Sequence, residues 1–232
     1  MRPIDRFPAI LFDFDGTLID SAPEIGAGLN GLLTERGRPP VSDAQIRQFI
    51  GDGAARLVER GFAATGAPLP PDELPAAVAR YLEIYADVPA DPSCIYPGVL
   101  ECLGTLADAG HAIALCTNKP EGISRALLPS LGMDGLFGAV VGGDTLPRRK
   151  PHADPLLHAL SVLGLPAGRA VMVGDNANDV GAARAAGMPV VAVSYGYPRM
   201  DPADLGADAL IDRFADLPSA LQLLAARFPV GS

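Results

Sequence analysis

With 232 residues, 49% of them hydrophobic and 19% charged, the chain is long enough for a large domain with a small insert and too apolar to stay disordered. Its net charge of −9 argues against a nucleic-acid or anionic-membrane surface, and any anionic substrate must find a locally positive site. No run approaches the roughly 20 apolar residues of a membrane span. The opening Met1–Arg6 lacks a secretion-signal core, and Cys94, Cys102 and Cys116 form no C-x-x-C pair, so a reducing cytoplasm is expected.

The first predicted element is a buried strand, Ile10-Leu11-Phe12, that runs into Asp13-Phe14-Asp15 and bends at Gly16. Alternation along an extended segment puts Asp13 and Asp15 on one face and Phe14 on the other. Ser21-Ala22-Pro23-Glu24 has the form of a capping box that opens a helix over 22–36. Further helices are predicted over 45–50, 54–64 and 73–88, separated by Gly51-Asp52-Gly53 and by Pro68-Leu69-Pro70-Pro71. Nothing between Ala22 and Pro92 has the β-branched character of a central strand. About seventy helical residues exceed an ordinary crossover of roughly a dozen, so 21–90 is read as a separate helical domain. Residues 1–20 and 91–232 form the other unit.

From Gly98 onward helices and strands alternate. Helices are predicted over 99–109, 121–131, 154–163, 180–186 and 215–228, and strands over 111–116, 139–141, 170–173 and 190–193. That alternation specifies a doubly wound, mostly parallel α/β sheet. Polar residues then stand at strand ends, where such sheets place ligands: Asp13 and Asp15, Thr117, and Asp175.

Each of these groups carries possible chemistry. Two acids two residues apart repel unless a cation or proton sits between them. Thr117-Asn118-Lys119-Pro120 offers a hydroxyl and backbone N–H groups for a phosphate at a helix start, although Thr also serves as an ordinary cap. Lys150 supplies an ammonium where negative charge would develop, whereas Arg148 and Arg149 read as exposed flanks. Asp175 stands at a strand tip and Asp179 on the first turn of the next helix. Mg²⁺ takes hard oxygen ligands of this kind, though acids also cap helices without metal. His111, His152 and His158 are too scattered for a metal site, and Cys116 reads as buried filler.

In order and context, the four groups resemble the motifs of the haloacid dehalogenase superfamily, from Phe7 to about Leu224. Phe49-Ile50-Gly51-Asp52-Gly53, Tyr96-Pro97-Gly98-Val99, Gly142-Gly143-Asp144, Ala185-Ala186-Gly187-Met188 and Tyr195-Gly196-Tyr197 narrow the resemblance to its phosphoglycolate phosphatase-like group. The resemblance implies a Mg²⁺-dependent phosphatase with a Rossmann-like core and the helical unit as a cap. Asp13 would be the nucleophile, forming an aspartyl-phosphate, and Asp15 the general acid and base. Thr117, Asn118 and Lys150 would hold the phosphoryl group. Asp13, the Asp15 carbonyl, Asp175 and Asp179 would make or support the metal site. Two departures are Asn176, where Ser is usual, and His152-Ala153 after Lys150-Pro151, where a second Pro is common.

A small phosphorylated metabolite is the expected partner, 2-phosphoglycolate first, for a monomer or homodimer. Discrimination is assigned to the cap, with Gly51 and Gly53 allowing close backbone approach and Arg56 meeting a substrate carboxylate. A solvated position for Arg56 is the competing reading, and Arg60 is the next candidate. A sugar-phosphate phosphatase, a pyrophosphatase and a β-phosphoglucomutase-like phosphotransferase would share these motifs. A phosphoacceptor signalling domain needs neither the second acid nor a cap of this size, and a dehalogenase usually lacks the acid at Asp15.

Overall fold

The computed structural model describes residues 2–228. Six parallel strands form one sheet in the order β3-β2-β1-β4-β5-β6: β1 (Ala9–Phe12), β2 (Ala112–Cys116), β3 (Ala139–Val141), β4 (Ala170–Gly174), β5 (Val190–Val193) and β6 (Ala209–Ile211). Strand order reverses at β1, so the crevice beyond its carboxyl end lies between the connections to β2 and to β4.

Period-two alternation sorts the strand side chains. Ile10, Phe12, Ile113, Leu115, Val171 and Val173 enter one buried cluster with Phe214 and Leu221, and Leu11, Ala114, Cys116 and Met172 enter the other with Leu156 and Leu160. The first cluster lies under α6 (Val99–Asp108), α7 (Glu121–Ser130) and α10 (Leu217–Arg227). The second lies under α8 (Asp154–Leu163) and α9 (Ala177–Ala185). A short helix α1 (Pro3–Arg6) precedes β1.

Between β1 and α6 come the four helices α2 (Ala22–Glu35), α3 (Asp43–Phe49), α4 (Ala54–Ala64) and α5 (Leu74–Ala86). They bury a third cluster built on Leu29, Leu32, Leu33, Ile46, Val58, Phe62 and Tyr81. The glycines of α2 favour this packing. A methyl on Gly28 would lie 3.2 Å from both Tyr81 and Tyr85, and one on Gly31 would lie 3.0 Å from Ile84, so α2 and α5 approach closely only without side chains there. The two chain segments leading into and out of this block run side by side. Ile19 bridges Ile95 antiparallel, Asp20 N–H donates to the Cys94 carbonyl at 2.7 Å, and Tyr96 N–H to that of Leu18 at 3.1 Å.

The expected elements form, with ends shifted by at most three residues. Two elements went unforeseen, α1 and β6. The latter has three residues, and Leu210 on it is exposed, so no alternation of any length marks it. The capping box is a second correction. The Ser21 side chain makes no cap to α2 and donates instead to Asp15, while Glu24 Oε2 is buried without a partner. Ser21 has turn-like dihedrals (φ −88°, ψ 3°) rather than the extended ones a capping hydroxyl needs.

Phe12 is fully buried on the central strand against Phe214, with ring centroids 5.8 Å apart. Phe12→Ala should therefore cost about 3–5 kcal/mol, read as a lowered midpoint in chemical denaturation. A loss below about 1 kcal/mol would mean that β1 is not the centre of the core.

Candidate active site

The strand tips assemble the charged groups. Asp13 continues the ladder past β1, its N–H donating to the Val173 carbonyl at 2.9 Å, and Phe14 turns into the core as alternation requires. Asp13 Oδ1 accepts from Phe14 N–H at 2.7 Å and is ion-paired with Lys150 Nζ at 3.0 Å. Lys150 also donates to Asp179 Oδ1 at 2.6 Å, and both side chains are buried. Asp179 Oδ2 accepts from the N–H groups of Asp175 and Asn176, each at 3.1 Å. Asp179 thus closes a capping box at the start of α9 and holds Lys150 at once.

Asp175 is fully buried, with Oδ2 accepting from Tyr197 N–H at 2.7 Å and Oδ1 from Asn176 Nδ2 at 3.0 Å. The Asn that departs from the usual Ser is therefore both the α9 cap and a donor to Asp175. Two glycines give Asp175 its room. A Cβ on Gly16, which has φ +83°, would stand 2.4 Å from Asp175 Oδ2, and one on Gly196 would stand 2.4 Å from its Cβ.

Asp13, Asp175 and Asp179 each offer an oxygen within 4.8 Å of the others. Three carboxylates against one ammonium leave this buried cluster with two negative charges in excess. Burial, with Asp179 next, pushes the Asp13 carboxyl well above the usual carboxylate range, and Lys150 only partly offsets this. The same two causes push Asp175 up to about 7. Burial disfavours the Lys150 ammonium, but Asp13 and Asp179 outweigh it and hold its proton more tightly than usual. Hard oxygens with unmet negative charge are what a divalent cation of the Mg²⁺ kind fits. The Asp15 carboxylate stands outside this cluster.

Asp15 has partners of its own, and two of them are residues that sequence reasoning passed over. Its Oδ1 accepts from Ser21 Oγ at 2.6 Å and from Lys119 Nζ at 2.9 Å. Lys119 also donates to the Tyr85 hydroxyl at 2.7 Å, its ammonium lying 4.7 Å from the centre of that ring. Burial works against this ammonium too, but Asp15 and Tyr85 together outweigh it and raise its pKa. Thr117 and Lys119 follow the end of β2, and the chain bends at Asn118 and Lys119, so no strand alternation in the sequence marks Lys119.

Thr117 is buried and its Oγ accepts from Lys119 N–H at 3.1 Å. Asn118 Nδ2 donates to the carbonyls of Gly51 at 2.9 Å and Lys150 at 3.0 Å. These residues line a cleft with Asp13, Asp15, Gly51, Gly53, Leu57, Tyr81 and Tyr85, and its cavity measures about 40 Å³. Arg56 is absent from the lining. It pairs with Glu59 at 2.6 Å and is 59% exposed, the solvated position. Arg60 is no substitute, being bound to Asp52 at 2.5 Å and to the Phe49 carbonyl. His152 is exposed and lines a surface hollow apart from the cleft. His111 is held to the Phe7 carbonyl, and burial pushes the Cys116 thiol up to about 12, so both are structural.

A family model described as haloacid dehalogenase-like hydrolase matches residues 10–193, which contain Asp13, Asp15, Thr117, Lys119, Lys150, Asp175 and Asp179. The chain belongs to the haloacid dehalogenase-like hydrolase family. It is 46% identical over 213 residues to the phosphoglycolate phosphatase of Rhodospirillum rubrum, covering 90% of this chain and 88% of that protein. To the phosphoglycolate phosphatase of Caulobacter vibrioides it is 43% identical over 211 residues, with 91% and 89% covered. The crystal structure of a predicted phosphoglycolate phosphatase from Haemophilus somnus matches with a TM-score of 0.85 at 32% identity, over 93% of this chain and 98% of that one. With these relatives the chain is an enzyme, a phosphatase of this hydrolase family.

The helical block is tied to the sheet unit across the cleft. Asp52 accepts from Asn178 at 2.7 Å and pairs with Arg199 at 2.6 Å, and Arg199 also donates to the carbonyls of Gln48 and Ile50. Although partial burial opposes it, bonds from Asn178, Arg60 and Arg199 hold the Asp52 carboxyl down to about 2. Asp52→Ala removes the carboxylate part of this tie at a partly buried position, worth about 1–1.5 kcal/mol after solvent screening. If closure is needed for turnover, kcat/KM should fall several-fold, to about tenfold, with the melting temperature lowered by only a few degrees. An unaltered kcat/KM would show that the tie plays no part in turnover.

Proposed function

We propose that the chain is a Mg²⁺-dependent phosphomonoester hydrolase that works through an aspartyl-phosphate, with 2-phosphoglycolate or a similarly small phosphorylated acid as substrate. The observation that carries this reading is Asp13, buried at a strand tip, with Oδ1 fixed by Phe14 N–H and Lys150 while Oδ2 accepts no hydrogen bond among the described residues. The names of the relatives at 43–46% identity support the substrate.

In the first step an Asp13 oxygen attacks phosphorus as the ester P–O bond breaks, and Asp15 gives a proton to the departing alkoxide. Lys150 offsets the charge that gathers on the phosphoryl oxygens, and the Thr117 hydroxyl with the N–H groups at the start of α7 positions them. In the second step Asp15, now a carboxylate, takes a proton from water. The water oxygen bonds to phosphorus, the Asp13–phosphorus bond breaks, and phosphate leaves. Asp13, Asp175 and the Asp15 carbonyl would hold Mg²⁺, supported by Asp179; bound there it offsets repulsion between a phosphate dianion and the carboxylates. The block 21–90 serves as a cap.

Asp13→Asn keeps the shape and removes the nucleophilic oxygen, so turnover should drop by several orders of magnitude with the fold intact by circular dichroism. A variant that kept a tenth of wild-type kcat would refute the covalent route. Asp15→Ala separates the second carboxylate. Its loss on alkyl phosphates should exceed that on p-nitrophenyl phosphate by roughly 100-fold or more, since a nitrophenolate leaves with little need of a proton. Equal losses on both esters would remove Asp15 from the acid role.

A further inference from the structure

The phosphoryl-binding groups are blind to the rest of the ester, and the arginine expected to read a substrate carboxylate faces solvent. Another cation must therefore do that work if the substrate is an acid. We propose that Lys119 is the specificity-determining residue of the cleft, its ammonium binding the carboxylate of a small phosphorylated acid; this rests on the phosphatase reading above.

Four observations lead there. Among the described residues that line the cleft, Lys119 is the one with a positive charge; the others include the apolar Ile25, Ile50, Leu57 and Leu82. Lys150 is committed to Asp13 and Asp179 behind the lining, and Arg60 and Arg199 are bound to Asp52. Lys119 is only 6% exposed, so water screens its charge weakly. Its ammonium has three N–H groups, of which Asp15 and Tyr85 take two, leaving one without a protein partner among the described residues.

The position also fits the size of the ligand. Lys119 follows Thr117 and Asn118 on the same loop, so a group bound to it lies close to the phosphoryl cradle. Only a short acid, with its carboxylate near the phosphate, can reach both. A longer sugar phosphate would have to run past Lys119 into the apolar wall formed by Leu57, Tyr81 and Leu82. Because Asp15 shares the same cation, the preference it confers sits at the low end for a charge-assisted hydrogen bond, roughly tenfold.

The test compares 2-phosphoglycolate with 2-hydroxyethyl phosphate, a neutral-tailed ester of similar size whose leaving alkoxide is similarly poor. Wild type should favour the acid in kcat/KM by about tenfold or more, mostly through KM. Lys119→Met and Lys119→Gln should bring that ratio close to one; loss of the ion pair with Asp15 lowers turnover on both esters, so the ratio within each variant is the readout and circular dichroism reports that the variants fold. The Gln variant can still donate to Asp15, and Lys119→Arg should retain the preference. A wild type with no preference for the acid would overturn the acid-substrate reading and the Lys119 assignment with it. A preference that both neutral variants keep, or equal losses on the two esters, would overturn Lys119 alone and leave it a positioning residue for Asp15. Arg149, whose guanidinium lies beside Gly53, is the control. If Arg149→Ala abolishes the preference and the Lys119 variants do not, the carboxylate is read there instead.

Discussion

The Lys150 ammonium lies between two buried carboxylates, 2.6 Å from Asp179 and 3.0 Å from Asp13, with a third, Asp175, close by. Such a group of charges is costly to bury unless it is balanced. Here three carboxylates face one ammonium, and the upward push on Asp13 and Asp175 comes first from burial and next from Asp179. Much of the surrounding structure serves to hold the charges in place. Asn176 and Tyr197 N–H fix Asp175, the start of α9 fixes Asp179, and Gly16 and Gly196 leave the space that Asp175 fills.

A second pair, Asp15 and Lys119, is electrically complete and lies apart from the first. The separation suits two carboxylates of unlike duty: one held in a charge-rich pocket, the other held by a hydroxyl and an ammonium. Because Ser21 sits on the entering linker and Tyr85 on α5, both partners that reach toward Asp15 and Lys119 from outside the sheet belong to or adjoin the helical block. Movement of that block would therefore alter the surroundings of Asp15 directly.

The sheet and most of the strand-tip acids were legible in the sequence because their signals are local. An apolar run ending in Asp-x-Asp-Gly, or in Gly-Asp before a helix, reads the same in isolation as in the fold. Lys119 was hidden in plain view, since a lysine after Thr-Asn looks like any surface cation until Asp15 and Tyr85 close over it. Ser21 and Glu24 matched a capping pattern, but tertiary contacts drew the serine hydroxyl to Asp15 instead. Arg56 lies off the cleft for a rotational reason. One turn from Gly53 puts a residue near the cleft in sequence but not on the face of α4 that lines it, where Ala54 and Leu57 stand. That choice depends on how α4 packs on α5, which no local pattern states.

The central claim, that the Asp13–Asp175–Asp179 cluster is built around a divalent cation, is tested most directly by thermal unfolding with and without Mg²⁺ in the absence of substrate. At a concentration about 100 times its dissociation constant, a single bound ion adds about 2.7 kcal/mol. For a chain of this size the melting temperature should rise by roughly 5–10 °C, reversibly on adding EDTA. Asp175→Asn, which lowers the charge excess by one, should lose most of the rise. A melting temperature indifferent to Mg²⁺ in the wild-type protein, up to millimolar concentrations, would contradict the claim.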